Sequence, residues 1–86
     1  MNRIYKYSLG TMSGRITVAM HPVVNILSVG EQSGELIIWA EVEAGKPTET
    51  QYFAIAWTGW EPPDNSIYIG TVQMNGLVYH IYDLGV

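Results

Sequence analysis

Nowhere in this chain do apolar residues recur at the i, i+3, i+4, i+7 spacing of an amphipathic helix over three turns. What recurs instead is alternation of apolar and polar residues, interrupted at short intervals by glycine, proline and asparagine. A period of two belongs to a strand, whose successive side chains point to opposite faces. The chain is therefore expected to be mostly β with little helix. It should form a single domain over residues 1–86, with about six to seven strands in a small antiparallel sheet, a sandwich or a barrel-like arrangement.

The first strand is expected over Arg3–Leu9, with Arg3, Tyr5, Tyr7 and Leu9 on one face and Ile4, Lys6 and Ser8 on the other. A second, Arg15–Met20, follows a loop bounded by Gly10 and Gly14, and the two strands are expected to pair as a hairpin. His21-Pro22 ends the second strand, because proline offers no amide to a ladder. A third runs over Val24–Glu31, and Gln32-Ser33-Gly34 makes a turn.

Glu35–Glu43 then places Leu36, Ile38, Ala40 and Val42 on a core face, against Glu35, Ile37, Trp39, Glu41 and Glu43. A face with carboxylates at its ends and apolar residues in its middle is wet at the rim and covered at the centre. Trp39 thus either meets a partner or packs under the loop that follows. Glu49–Thr58 is apolar on both faces, the signature of a central strand or one covered by a partner. Ala54 and Ala56 leave room there for something bulky to approach. Ile67–Met74, Asn75-Gly76 and Leu77–Asp83 form a two-residue hairpin, since Asn and Gly accept the positive φ of a type I′ turn. Gly70, inside a strand, marks a bulge or a close backbone contact.

An 86-residue chain has one modest core and needs reinforcement. Cysteine is absent, which removes disulfides, and the two histidines, His21 and His80, sit in no ligand-spaced cluster, so no structural metal is expected. Self-association remains, and a homo-oligomer is expected. Hydrophobic residues make up 48% of the chain and charged residues only 14%, with six tyrosines and three tryptophans, so apolar surface is left over for a partner.

The formal net charge of −4 and only four basic side chains disfavour general nucleic-acid binding, which needs a clustered basic face. No segment approaches the roughly 20 apolar residues of a membrane span, and the first residues lack the apolar run of a signal peptide. A cytoplasmic protein without membrane contact is expected. Arg3, Lys6 and Arg15 fall close together in sequence; they either make a small patch for a compact phosphorylated ligand or keep an edge strand soluble.

Motifs for catalysis are missing: there is no thiol, no phosphate-cradling glycine loop, no zinc-protease pair and no serine elbow. His80 could serve with Asp64 or Asp83 as a general acid or base only if the fold brings them together. The expectation is a binding protein without cofactor or metal, not an enzyme. Gly59–Ser66 is the longest irregular stretch and is stiffened by Pro62 and Pro63, so Trp60 is the first choice for an exposed binding residue; the alternative is a plug at the end of the sheet. The expected ligand-contacting set is Arg3, Tyr5, Lys6, Tyr7, Trp39 and Trp60, with rings to stack on a base and cations to meet phosphate.

Several short strings occur in a set order: Ile4-Tyr5-Lys6-Tyr7, Ile26-Leu27-Ser28-Val29 with Glu31-Gln32 and Gly34-Glu35, Trp39-Ala40, Thr58-Gly59, and Tyr68-Ile69-Gly70-Thr71-Val72-Gln73. Together the pattern resembles a family of small proteins of unassigned function encoded by phages and prophages. Relatives in that family often carry histidine directly after the Thr-Gly pair, where this chain has Trp60. The resemblance implies a phage accessory protein in the bacterial host cytoplasm, and by analogy a counter-defence factor. On that footing the expected partner is a small nucleotide-like immune signal held by sequestration. The alternatives are a host defence effector inhibited by protein binding, or a place in the virion or its assembly.

Overall fold

The computed structural model describes residues 1–86 and contains seven strands and no helix. The strands are β1 (Asn2–Gly10), β2 (Gly14–Met20), β3 (Val23–Gln32), β4 (Glu35–Glu43), β5 (Glu49–Trp57), β6 (Ile67–Met74) and β7 (Leu77–Gly85). They build two antiparallel sheets, ordered β1-β4-β3 and β2-β5-β7-β6. Of the β architectures the sequence allows, the chain adopts the sandwich.

The core lies between the sheets and follows the alternation of the central strands. Leu36, Ile38, Ala40 and Val42 of β4 are all fully buried, and across from them sit Phe53 and Ile55 of β5 and Ile81 of β7. Leu9, Met20, Val72, Met74 and Tyr79 complete the cluster, and the Trp57 ring packs on Tyr79 with centroids 4.7 Å apart. Burying one such side chain stabilises by about 1.5–3 kcal/mol. Because β4 and β5 each have a neighbour on both sides, their outer faces are partly covered too. Ile37 on the outer face of β4 is 5% exposed, and Ala54 and Ala56 on the outer face of β5 are 7% and 6% exposed.

The expected hairpin between the first two strands does not form. β1 pairs with β4 (Tyr7 opposite Ile38), whereas β2 pairs with β5 (Ile16 opposite Phe53), so the two strands belong to different sheets. Thr11, Met12 and Ser13 carry the chain across the edge of the sandwich between Gly10 and Gly14, whose φ values of 75° and 99° are ones that side-chain-bearing residues rarely adopt. The physical reason is burial. β1 contributes Tyr7 and Leu9 and β2 contributes Ile16, Val18 and Met20, and on opposite sheets both sets face one core.

The expected Asn75-Gly76 hairpin does form, and the turn expected at Gln32-Ser33-Gly34 makes a second one. Ser33-Gly34 joins β3 to β4 with φ values of 54° and 79°, and Asn75-Gly76 joins β6 to β7 with 54° and 75°, the double positive φ of a type I′ turn. Gly70 fulfils both halves of its expectation. The β6–β7 register shifts between Tyr68 and Gly70, and a Cβ built at Gly70 would lie 2.1 Å from Val29 Cγ2 of the facing sheet. Val29 is β-branched and stiff at χ1, so it cannot simply swing away.

Gly70→Ala is therefore expected to lower the unfolding free energy in urea by about 1–3 kcal/mol. Combining it with Val29→Ala should recover part of the loss, with a coupling of at least about 0.5 kcal/mol. Strictly additive losses would mean that the sheets do not meet at this point.

Candidate functional site

The outward face of the four-stranded sheet collects side chains from every one of its strands. Cross-strand register places Arg15 of β2 and Tyr82 of β7 on either side of Ala54, and His80 beside Ala56. Tyr68 of β6 lies opposite Tyr82, and their rings meet edge to face with centroids 5.6 Å apart. Thr71 lies opposite His80. The small alanines form a floor, and the larger side chains stand around it.

His80 is held from both sides. Its Nε2 is 2.8 Å from Thr58 Oγ1 and its Nδ1 is 3.0 Å from Thr71 Oγ1, and Tyr68 Oη extends the chain through the same Thr71 hydroxyl. A hydroxyl donates or accepts as needed, so this network keeps the ring in place while accommodating either neutral tautomer. The carboxylates considered as acid–base partners lie elsewhere: Asp83 points to the other side of the sheet, where its Oδ1 accepts from Gln51 Nε2 at 2.7 Å and from the Gly85 amide at 2.8 Å. Asp64 makes no hydrogen bond to His80.

Trp60 is 53% exposed and borders a depression of about 200 Å³ with Ala56, Thr58, Pro62, His80 and Tyr82. Its amide donates to Trp57 O at 3.1 Å, which fixes the chain where it leaves β5, and Ser66 Oγ donates to Pro63 O at 2.6 Å, which closes the loop. Trp60 thus stands over the rim of the His80 face and does not plug the core.

The other five residues of the expected set lie on the opposite sheet and do not converge with Trp60. Arg3, Tyr5 and Tyr7 share the inward-directed side of edge strand β1, opposite Val42, Ala40 and Ile38. Tyr5 packs edge to face on His21 at 5.8 Å, and the His21 Nδ1–H donates to Lys46 O at 2.7 Å. Lys6 and Trp39, a registered pair, face outward from the three-stranded sheet. The Lys6 ammonium donates to Gln32 Oε1, tying the two edge strands together across β4. Trp39 leans over β3, its Cζ3 3.3 Å from where a Cβ on Gly30 would be. Arg3 and Lys6 point to opposite faces, so they form no common patch. Arg15, remote from both, has no ion pair or side-chain hydrogen bond of its own.

Sequence reasoning passed over Tyr68, Tyr82 and the role of Arg15. The Thr71–His80 pair follows by counting back from the Asn75-Gly76 turn, but the Tyr68–Tyr82 pair exists only because of the bulge at Gly70. The Arg15–Ala54–Tyr82 row joins three strands distant in sequence. No local pattern announces it.

Tyr7 packs against the core, yet its buried hydroxyl has no hydrogen-bond partner in the chain. Leaving such a group unsatisfied costs about 1–3 kcal/mol. Tyr7→Phe should therefore leave the unfolding free energy unchanged or raise it by up to about that amount. A loss in denaturant melts would show that the hydroxyl is paired in solution.

No curated protein and no solved structure matches the chain. One family model does, and it spans residues 1–85, almost the whole domain. By that match the chain belongs to the family described as a domain of unknown function, DUF7352.

Proposed function

We propose that this protein acts by binding, and that the outward face of its four-stranded sheet holds a small, planar, nucleotide-like ligand. The observation that carries the reading is the grouping of Trp60, Tyr68, Tyr82 and His80 on one exposed face beside the unpaired Arg15. Aromatic faces stack on a base without regard to its identity, and a guanidinium matches phosphate geometry. Arg15 and Tyr82 flank the same residue of β5, so their strands are about 10 Å apart. That separation suits a ligand with a flat ring at one end and an anionic group at the other.

His80, gripped by two threonine hydroxyls and by no carboxylate, fits a hydrogen-bonding wall better than a general base. In its biological form the proposal is a phage-encoded counter-defence factor that sequesters a nucleotide-like immune signal of the host; the phage origin rests on the resemblance of the sequence strings. Self-association of the chain belongs to the same reading, since exposed apolar side chains remain on both sheets. The alternative, inhibition of a host defence protein by direct docking, is supported by Ile4 and Ile67, which are 65% and 70% exposed on edge strands.

Calorimetry against cyclic nucleotides and ADP-ribose derivatives tests the proposal. Binding is expected, weakened about 10- to 100-fold by Tyr82→Ala or Trp60→Ala, in line with stacking worth about 1–3 kcal/mol per base. Arg15→Ala should weaken it and flatten its salt dependence. Absence of heat across the panel, or full affinity in all three variants, would overturn the reading. Native mass spectrometry of the same samples reports the stoichiometry of the chain.

A further inference from the structure

At the lateral side of the sandwich, the starts of β3, β5 and β6 and the end of β7 line an open groove of about 670 Å³. That volume is within the roughly 300–1,000 Å³ of ordinary ligand sites. Val23, Ile26 and Ile69 belong to its apolar wall and also pack on the core, so the wall is part of the fold and not a loose flap.

The charged side chains in the groove are of one sign. Gln51 is a polar side chain only 5% exposed, and its Nε2 is committed to Asp83 Oδ1 at 2.7 Å. No hydrogen bond within the chain engages its Oε1, and Gln51 is one of the residues that line the groove. Asp83 Oδ1 also accepts from the Gly85 amide, which fixes the carboxylate and leaves Oδ2 without a partner. Glu49 adds a second carboxylate to the lining. No lysine, arginine or histidine lines the groove, and the nearby Lys46 ammonium is taken by Glu43 at 2.5 Å. Two carboxylates with no cationic side chain among the lining residues are complementary to a donor-rich cation.

The mouth of the groove says what carries that cation. Val24 and Ile67 on its rim are 48% and 70% exposed, apolar surface that a bare ion would leave wet. β3 and β6 are each the edge strand of their sheet, so each presents unpaired backbone groups beside the groove. We propose that this groove receives an arginine or lysine side chain from an extended segment of a partner protein. The stem lies along Val23, Ile26 and Ile69, the head meets Asp83, Glu49 and Gln51 Oε1, and the flanking residues cover Val24 and Ile67. The proposal does not depend on nucleotide binding, which uses the outward face.

The test is NMR titration of the isotope-labelled full chain with pentapeptides whose central residue is arginine, lysine or citrulline between valines or isoleucines. Shifts are expected at the amides of Ile26, Ile67 and Asp83, stronger for arginine and lysine, and at least tenfold weaker in affinity for citrulline. Glu49→Gln and Asp83→Asn should each weaken the arginine peptide by tenfold or more, and Ile67→Ser by several-fold. Glu49 makes no structural hydrogen bond, so its variant remains informative if Asp83→Asn fails to fold. Equal binding of the citrulline peptide, shifts confined to another surface, or no shifts would overturn the proposal. N-acetylarginine amide binding as tightly as the peptides would overturn the part that assigns a protein segment.

Discussion

The contact between the inward faces of β4 and β5 is the interaction on which everything else in this molecule rests. A chain of 86 residues without cysteine depends on one small core to oppose the entropy of ordering, and β4 and β5 supply six of its twelve buried residues. Leu36, Ile38, Ala40 and Val42 meet Phe53 and Ile55 with nothing polar between them. Each of the two strands is flanked on both sides, so its backbone is satisfied by neighbours while its inner side chains fill the core.

Placing the apolar strands centrally decides the character of the surface. The edge positions fall to β1, β2, β3 and β6, and these carry the exposed apolar side chains Ile4, Val24, Leu27 and Ile67. Two different surfaces result. The outward face of the four-stranded sheet is aromatic, hydroxyl-rich and served by one unpaired arginine. The lateral groove is apolar with acceptors at its base. The two proposed ligands, a flat anion and a cation on an apolar stem, follow from that difference, and Tyr68 borders both surfaces.

Gly70 links these surfaces to the core. Having no side chain, it lets β3 and β6 approach closely enough for Val29 to enter, and the register shift beside it turns Tyr68 toward Tyr82. A single residue without a side chain thus serves the packing of the two sheets and the placement of Tyr68.

The sequence by itself determined the strands, their inner faces and the Asn75-Gly76 turn. Period-two alternation and positive φ are local properties, legible over a few residues. It also put Trp60 first as an exposed residue, against the alternative of a plug, and marked Gly70 as a bulge or a close contact. Only the tertiary structure decided which strands pair, and here the expected hairpin of the first two strands gave way. Neighbours in sequence were sent to opposite sheets so that Leu9 and Met20 could share one core. For the same reason Arg3, Lys6 and Arg15, close in sequence, face three directions, while Arg15, Ala54 and Tyr82, far apart in sequence, stand in one row. Burial acts on the whole chain at once, and no local pattern records which distant strand will supply the other half of a core or of a site.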